Sequence, residues 1–312
     1  MKRIYHLVLC VLVLVMISPA ILAQDDTEPI IVNVGVYVVG TSEFNLDSGT
    51  YNVDFYITMY CSSDCTDEMV GFDVVGINGT EALQVENRVL EGDYAEFRVQ
   101  ATLNQNKINL RRYPFDSHQL NVIIETKFLL TDELIYQVNY DESGIDEDVQ
   151  LQGWDLNPDF TVKVIEKTYY GAELGYSRFI FTMETTRVPI AAFIRSILPA
   201  IAILLISFVG TFMPDRYQRI GLAGGVLLAM LLHHLAVGAE VPPVGYAVYF
   251  DAFMLLNDTA ILIQFAGTVY ELVREKRGVA DSVLDRFSYK MLLMIVLAWV
   301  VAQVMTWQYF LN

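Results

Sequence analysis

Between Glu28 and about Arg187 the chain alternates in short steps. The runs IIVNVGVYVV, TYNVDFYITMY, AEFRVQATL, HQLNVIIET, FTVKVIEKTYY and SRFIFTMETT are rich in Val, Ile, Tyr, Phe and Thr, and several place apolar and polar side chains in turn. Gly, Asn, Asp and Pro punctuate them at hairpin-like intervals. This pattern predicts an antiparallel β-sandwich or barrel. A mixed α and β domain is the weaker reading, because no amphipathic helical stretch of convincing length occurs there. After Val188 the period of two stops, and apolar segments run over about 190–213, 217–241, 245–273 and 287–310. Each is long enough to cross a bilayer core of about 30 Å at a rise of about 1.5 Å per residue. Lipid leaves no partner for an unpaired backbone group, so helices are the expected form. The predicted fold class is a multidomain membrane protein, an antiparallel β-sandwich followed by a four-helix transmembrane bundle.

Charge divides the chain the same way. Of 312 residues, 54% are hydrophobic, and the mean hydropathy is +0.38. Residues 24–188 carry 29 Asp and Glu against 10 Lys and Arg, while the whole chain has a formal charge of −17. An acidic, solvent-facing half on an apolar half is implied, and nucleic acid is excluded as a partner. At the N-terminus, Lys2 and Arg3 precede an apolar run and then small residues, the pattern of a signal peptide over 1–23; a retained anchor is the alternative, since Ile21 stands where a small residue is usual. The bundle loops orient the molecule. Arg216 and Arg219 lie between spans one and two, and Arg274, Lys276, Arg277, Arg286 and Lys290 lie between or flank spans three and four, whereas VPPVGY has no Lys or Arg. Basic loops belong on the cytoplasmic side. The domain over 24–188 is then extracellular or periplasmic, and the domain over 189–312 is a multi-pass segment of the plasma (inner) membrane. In an exported domain Cys61 and Cys65 suit a local disulfide; a metal site is the rival, with two cysteines and no nearby histidine as a thin ligand set.

Several motifs in this order resemble the pentameric ligand-gated ion channels, the Cys-loop receptor superfamily. RRYPFDSHQL at 111–120 is similar to the family's loop with its Pro-Phe-Asp turn, and LQGWDL at 151–156 to a Gly-Trp-Asp segment of prokaryotic members. Pro199 sits in span one as in the family's Leu-Pro pair, Arg187 lies twelve residues before it, and span two ends at Pro242. The chain departs from the family in having no cysteines around RYPFD. It also departs in running from Tyr60 to about Phe72 without a segment that supplies part of the usual agonist pocket.

The resemblance gives span two a role. In RIGLAGGVLLAMLLHHLAVGAEVPP, residues Gly221, Gly225, Leu228, Leu232, Leu235 and Ala239 fall on one stripe at helical spacing. Periodicity alone does not single it out, since most faces are apolar; the family match implies that it lines a pore in which three leucine rings form a hydrophobic gate. Packing through small residues is the bland alternative. Asp215, Arg219 and Glu240 are the selectivity candidates; Arg219 opposes cations if it faces the pore, but the resemblance implies a basic residue there that points away from it, and the acidic outer domain favours cations. His233 and His234 are pH-sensing candidates, each with the alternative of a neutral imidazole donating to a neighbouring helix's carbonyl. The resemblance further implies a coupling set of Asp47, Phe115, Asp116, Arg187, Pro243 and Tyr246, with Asp116 paired to Arg187, Phe115 inserted near Pro243 and Tyr246, and Asp47 joining the cluster. It implies a ligand pocket under the hairpin 167–177, with Phe128, Tyr169, Tyr170 and Tyr176 as candidates. The acidic run DESGIDED at 141–148 reads as a solvated loop or a Ca²⁺ site without EF-hand spacing.

The resulting expectation is a homopentamer of identical subunits in a lipid bilayer, passing ions, cations by preference, when an unknown agonist arrives: protons, Ca²⁺ or a small molecule. The alternative is a non-conducting membrane-anchored sensor or binding protein. No cofactor is expected beyond Ca²⁺ as a modulator, the identity of any metal stays open, and no catalytic arrangement such as HExxH, a phosphate loop or a Ser/His/Asp set occurs, so an enzyme is not expected.

Overall fold

A computed structural model describes residues 28–79, 82–105, 108–171 and 173–311. The expected signal peptide, 1–23, lies outside the described residues. Ten strands come first: β1 (Ile30–Asn45), β2 (Thr50–Cys61), β3 (Phe72–Val74), β4 (Leu83–Glu91), β5 (Tyr94–Asn104), β6 (Ser117–Thr126), β7 (Leu134–Val138), β8 (Gly144–Ile145), β9 (Trp154–Lys167) and β10 (Tyr176–Arg187). They form two sheets. One has the order β4-β5-β2-β1-β7, with β8 also on β1; the other runs β3-β6-β10-β9. Most neighbours are antiparallel, but β7 and β8 pair with β1 in parallel, an exception the alternation could not reveal.

Side chains of one parity from each sheet meet between them. Val32, Val34, Val36 and Val38 of β1, and Phe55, Ile57 and Met59 of β2, are fully buried with Val122 and Ile124 of β6 and Phe179, Phe181 and Met183 of β10. Alternation therefore fixes register, since a slip of one residue would turn each row out to water. Between β2 and β4 the chain spends only a three-residue strand on the second sheet, at the edge beside β6. Cys61 and Cys65 form a disulfide at the start of that passage.

Four helices follow: α1 (Pro189–Gly210), α2 (Arg216–Gly238), α3 (Tyr249–Lys276) and α4 (Asp281–Leu311), each long and apolar enough to cross a membrane. A π-helical turn at Phe193–Ile197 interrupts α1 just before Pro199, where the missing proline N–H breaks the regular ladder. The expected spans at 245–273 and 287–310 shift. The first begins later, because Asp251 accepts the Val248 amide at 3.2 Å and fixes the helix start. The second begins six residues earlier, and Asp281 and Asp285 of its first turns pair with Arg216.

Candidate functional site

Helix α2 has two unlike faces. Arg216, Arg219, Ala223, Val226, Met230 and Val237 are buried against the other helices. At about 100° per residue the stripe Gly221, Gly225, Leu228, Leu232, Leu235 and Ala239 lies diametrically opposite, and all six residues are exposed on the single chain. Leu228, Leu232 and Leu235 are 59%, 57% and 71% exposed. A row of bare leucines opposite a packed face meets lipid, a neighbouring subunit or a central axis, and the other helices also expose large apolar side chains such as Leu205, Leu255 and Leu293. Gly221, Gly224, Gly225 and Gly238 have open space where a side chain would begin, so no neighbour within the chain demands glycine there.

Of the three charged candidates at the ends of α2, two are exposed and one is buried. Asp215 caps the helix, accepting the Tyr217 amide at 2.9 Å, and stays exposed. Glu240 is exposed just beyond the other end. Arg219, the third candidate, is buried and turned into the bundle, the orientation that the resemblance implied. Its guanidinium donates to Glu271 Oε2 at 3.3 Å, to Ser288 Oγ at 3.2 Å and to the Met213 carbonyl. A charge in that place needs a partner, and α3 supplies one.

At the opposite end of the bundle the β domain meets the helices. The carbonyls of Arg111 and Tyr113 accept the amides of Tyr249 at 2.9 Å and Phe250 at 3.2 Å. These are among the first amides of α3, which have no partner inside their own helix. The loop thus caps the helix, with a cis bond at Tyr113–Pro114 bringing the chain round. The Tyr246 hydroxyl oxygen accepts the Leu110 amide at 3.0 Å, and Arg111 lies over the Tyr246 ring at 5.6 Å. Phe115 packs on Tyr249 and Trp307 at about 6 Å between ring centres. Its aromatic partners are therefore on α3 and the end of α4, while Pro243 stays exposed.

Behind the loop, Asp116 is fully buried. Its Oδ1 accepts Arg187 Nε at 2.8 Å and its Oδ2 accepts Arg187 Nη2 at 3.2 Å and His118 Nε2 at 2.6 Å. Burial opposes its ionisation, but the hydrogen bonds from His118 and Arg187 and the arginine's charge outweigh it and hold the carboxyl below its ordinary value of 3.8. Arg187 in turn stacks over Trp154 at 4.3 Å and Tyr113 at 5.1 Å. Sequence reading missed His118 and Trp154 as members of this cluster; the Gly-Trp-Asp motif is the one signal that pointed near it. Asp47 does not join. It is exposed, with its amide tied to Asn45 Oδ1 at 2.9 Å, and the hairpin sends Phe44 instead, against His118 and Trp154.

His233 donates to the Ser196 carbonyl on α1 at 2.8 Å, the packing role weighed for it. His234 stands between two acids of α3, with Asp251 at 3.8 Å on one ring nitrogen and Asp258 at 3.8 Å on the other. Of the ligand candidates, Tyr169 donates to Glu125 at 2.7 Å beside the Arg178–Glu125 pair and faces Tyr176 at 6.0 Å. Tyr170 is fully exposed, and Phe128 is exposed over Gly71 with Lys127 above its ring. These residues do not close a single aromatic pocket within one chain. Asp146 of the acidic run caps Asp148 and accepts the Tyr37 hydroxyl. Among the described residues no group of three or more His, Cys, Asp or Glu is placed to hold a metal.

No protein-family model matches the chain. A proton-gated ion channel from Gloeobacter violaceus is 22% identical over 266 residues, covering 77% of this chain and 72% of its own length. A match over 77% of the chain is longer than either domain and so takes in parts of both. The chain is therefore a homologue of that proton-gated channel, with a sheet-rich domain followed by four membrane-capable helices.

Proposed function

We propose that the chain is the subunit of a homopentameric, cation-conducting channel, opened from outside the cell through a gate of leucine rings. The observation that carries this reading is the bare stripe of Leu228, Leu232 and Leu235 opposite the packed face of α2, in a homologue of an ion channel. Five such stripes around an axis make a hydrophobic neck, which blocks ions by dewetting before it closes sterically. The basic loops put the β domain on the outer face of the plasma membrane. A signal received there reaches the pore through Phe115, the caps on Tyr249 and Phe250, and the Asp116–Arg187–His118 cluster.

Protons are the first agonist to test, since the relative is proton-gated. His234 fits that choice, because its two ring nitrogens lie 3.8 Å from Asp251 and from Asp258, on opposite sides of the ring. Ca²⁺ and small molecules come next. The test is current from purified protein in planar bilayers under asymmetric NaCl, with outer pH stepped from 8 to 4 and Ca²⁺ added and then chelated. Leu228→Ser is expected to leak at rest, because a polar ring wets the neck. Silence in both wild type and Leu228→Ser would mean a receptor that does not conduct.

A further inference from the structure

The half of the bundle next to the sheets holds few charged side chains. α1 has one, Arg195, and α4 has none after Lys290. α3 has two acids before Glu271, Asp251 and Asp258, and α2 adds the titratable His233 and His234. His233 donates to the Ser196 carbonyl at 2.8 Å, which sets Arg195 level with the two histidines. His234 lies 3.8 Å from each of the two acids. Arg195 and the acid pair therefore share one level of the bundle. Glu240, past the end of α2, is about 10 Å further out than His233 at helical rise.

Within one chain these opposite charges do not meet. Arg195 is exposed, and among the described residues it forms no salt bridge and no side-chain hydrogen bond. The two acids have a single imidazole between them, so even a charged His234 answers only one of them. Asp251 accepts the Val248 amide through Oδ2 and is otherwise half-exposed. Charged groups at membrane depth face protein or water and pair with one another. A lone cation and an under-compensated acid pair at one level of the same chain satisfy each other when identical copies stand side by side.

The surroundings of the two charges match as well. The π-helical turn over Phe193–Ile197 buries Ser196 and Ile197 and leaves Arg195 outward. Beyond it, Leu198, Leu205 and Val209 continue an exposed row at helical spacing. On α3, Leu255 and Leu262 follow Asp251 by about one and three turns and are exposed too. Each helix thus shows a bare apolar row headed by a charge, positive on α1 and negative on α3. Two unlike faces of one chain make a head-to-tail contact, the kind that closes into a ring.

We infer that Arg195 of one subunit pairs with Asp251 of the next, joining α1 of one copy to α3 of its neighbour beside His234. This rests on the reading of the chain as a homo-oligomer. The arginine stem is long enough to carry the guanidinium outward to the half-exposed carboxylate while its methylenes stay against the apolar row.

The test uses purified full-length protein in detergent. Its mass by light scattering should be that of several copies. In a Cys10→Ala background with the Cys61–Cys65 disulfide intact, Arg195→Cys/Asp251→Cys is treated with a bismaleimide about as long as an arginine side chain. A ladder of covalent dimers and higher species on a denaturing gel is expected, and none from either single-cysteine variant; a link within one chain would leave only monomer. Arg195→Glu should lower the temperature at which the oligomer falls apart by about 2–4 °C, and so should Asp251→Arg. Joined in one chain, the two exchanges should raise that temperature above the value for Asp251→Arg alone, a reversal that mere structural damage does not give. An oligomer with no ladder, or with charge effects that simply add, overturns the inference and leaves the homo-oligomer intact; Arg195 would then face lipid phosphate. A wild-type monomer overturns the underlying reading and the inference with it.

Discussion

Asp116 shows what one residue contributes at the joint between the domains. It is wholly buried yet ionised, because Arg187 and His118 satisfy both of its oxygens. Removing the acid leaves Arg187 stacked on Trp154 with its charge unanswered. Asp116→Ala should therefore destabilise the β domain by about 3–5 kcal/mol, read as a lower melting temperature of the purified protein in detergent. The sign of the pH dependence follows from the lowered carboxyl. The stabilisation is complete above the ordinary value of 3.8 and is lost only as pH falls through the lower folded value. Between pH 8 and 4 the Asp116 carboxylate stays ionised, so any proton response in that window belongs to other groups. His234→Gln should then blunt the response to outer pH without changing the melting temperature at pH 8; a response identical to wild type would remove His234 as its origin. The motif Pro-Phe-Asp and the strand-end arginine made this pair legible in the sequence. His118, Trp154 and Phe44 were not, since their approach depends on a sheet-to-sheet distance that no local spacing encodes.

At the level of elements, the alternation of β1, β2, β5, β6, β9 and β10 was legible because each buries one full face in the sandwich. β3 and β8 are three and two residues long, too short to show a period. β4 alternates, but as an edge strand it leaves Val85 and Leu90 exposed, so its apolar positions do not mark a buried face. The helices were legible from hydropathy, and their ends were not. Asp281 and Asp285 look like loop residues until Arg216, more than 60 positions away, is placed beside them. α2 was the least decided, since apolar residues surround it on nearly every side and only the packed structure separates its faces. That separation predicts opposite outcomes for similar changes. Met230 is fully buried, and Met230→Ala should lower the melting temperature through lost packing, on the order of 2 kcal/mol or more. Leu228→Ala and Leu232→Ala, on the exposed stripe, should leave the melting temperature nearly unchanged and alter the current instead. Equal thermal effects at both faces would mean that the stripe is a packing surface.

The whole molecule joins an acidic outer half to a bundle close to neutral. Residues 24–188 hold 29 acids against 10 bases, while the remainder holds 8 against 10. Within the bundle Glu271, Glu275, Asp281 and Asp285 meet arginines and Asp251 and Asp258 flank His234, which leaves Asp215 and Glu240 exposed, so most of the uncompensated negative charge sits on the β domain. Such a surface lowers the potential for several ångströms around it and enriches cations within reach of the pore's outer mouth. The enrichment depends on screening, with a Debye length of about 30 Å at 0.01 M salt and about 3 Å at 1 M. Single-channel conductance should consequently fall less than in proportion as NaCl is lowered from 1 M toward 0.01 M on the outer side, and it should do so for inward cation current only. Lowering salt on the inner side, where the carboxylates are locked to Arg216 and Arg219, should give a more nearly proportional fall. Equal, proportional behaviour on both sides would mean that the acidic charge faces away from the ion path, and the β domain's composition would then serve solubility rather than conduction.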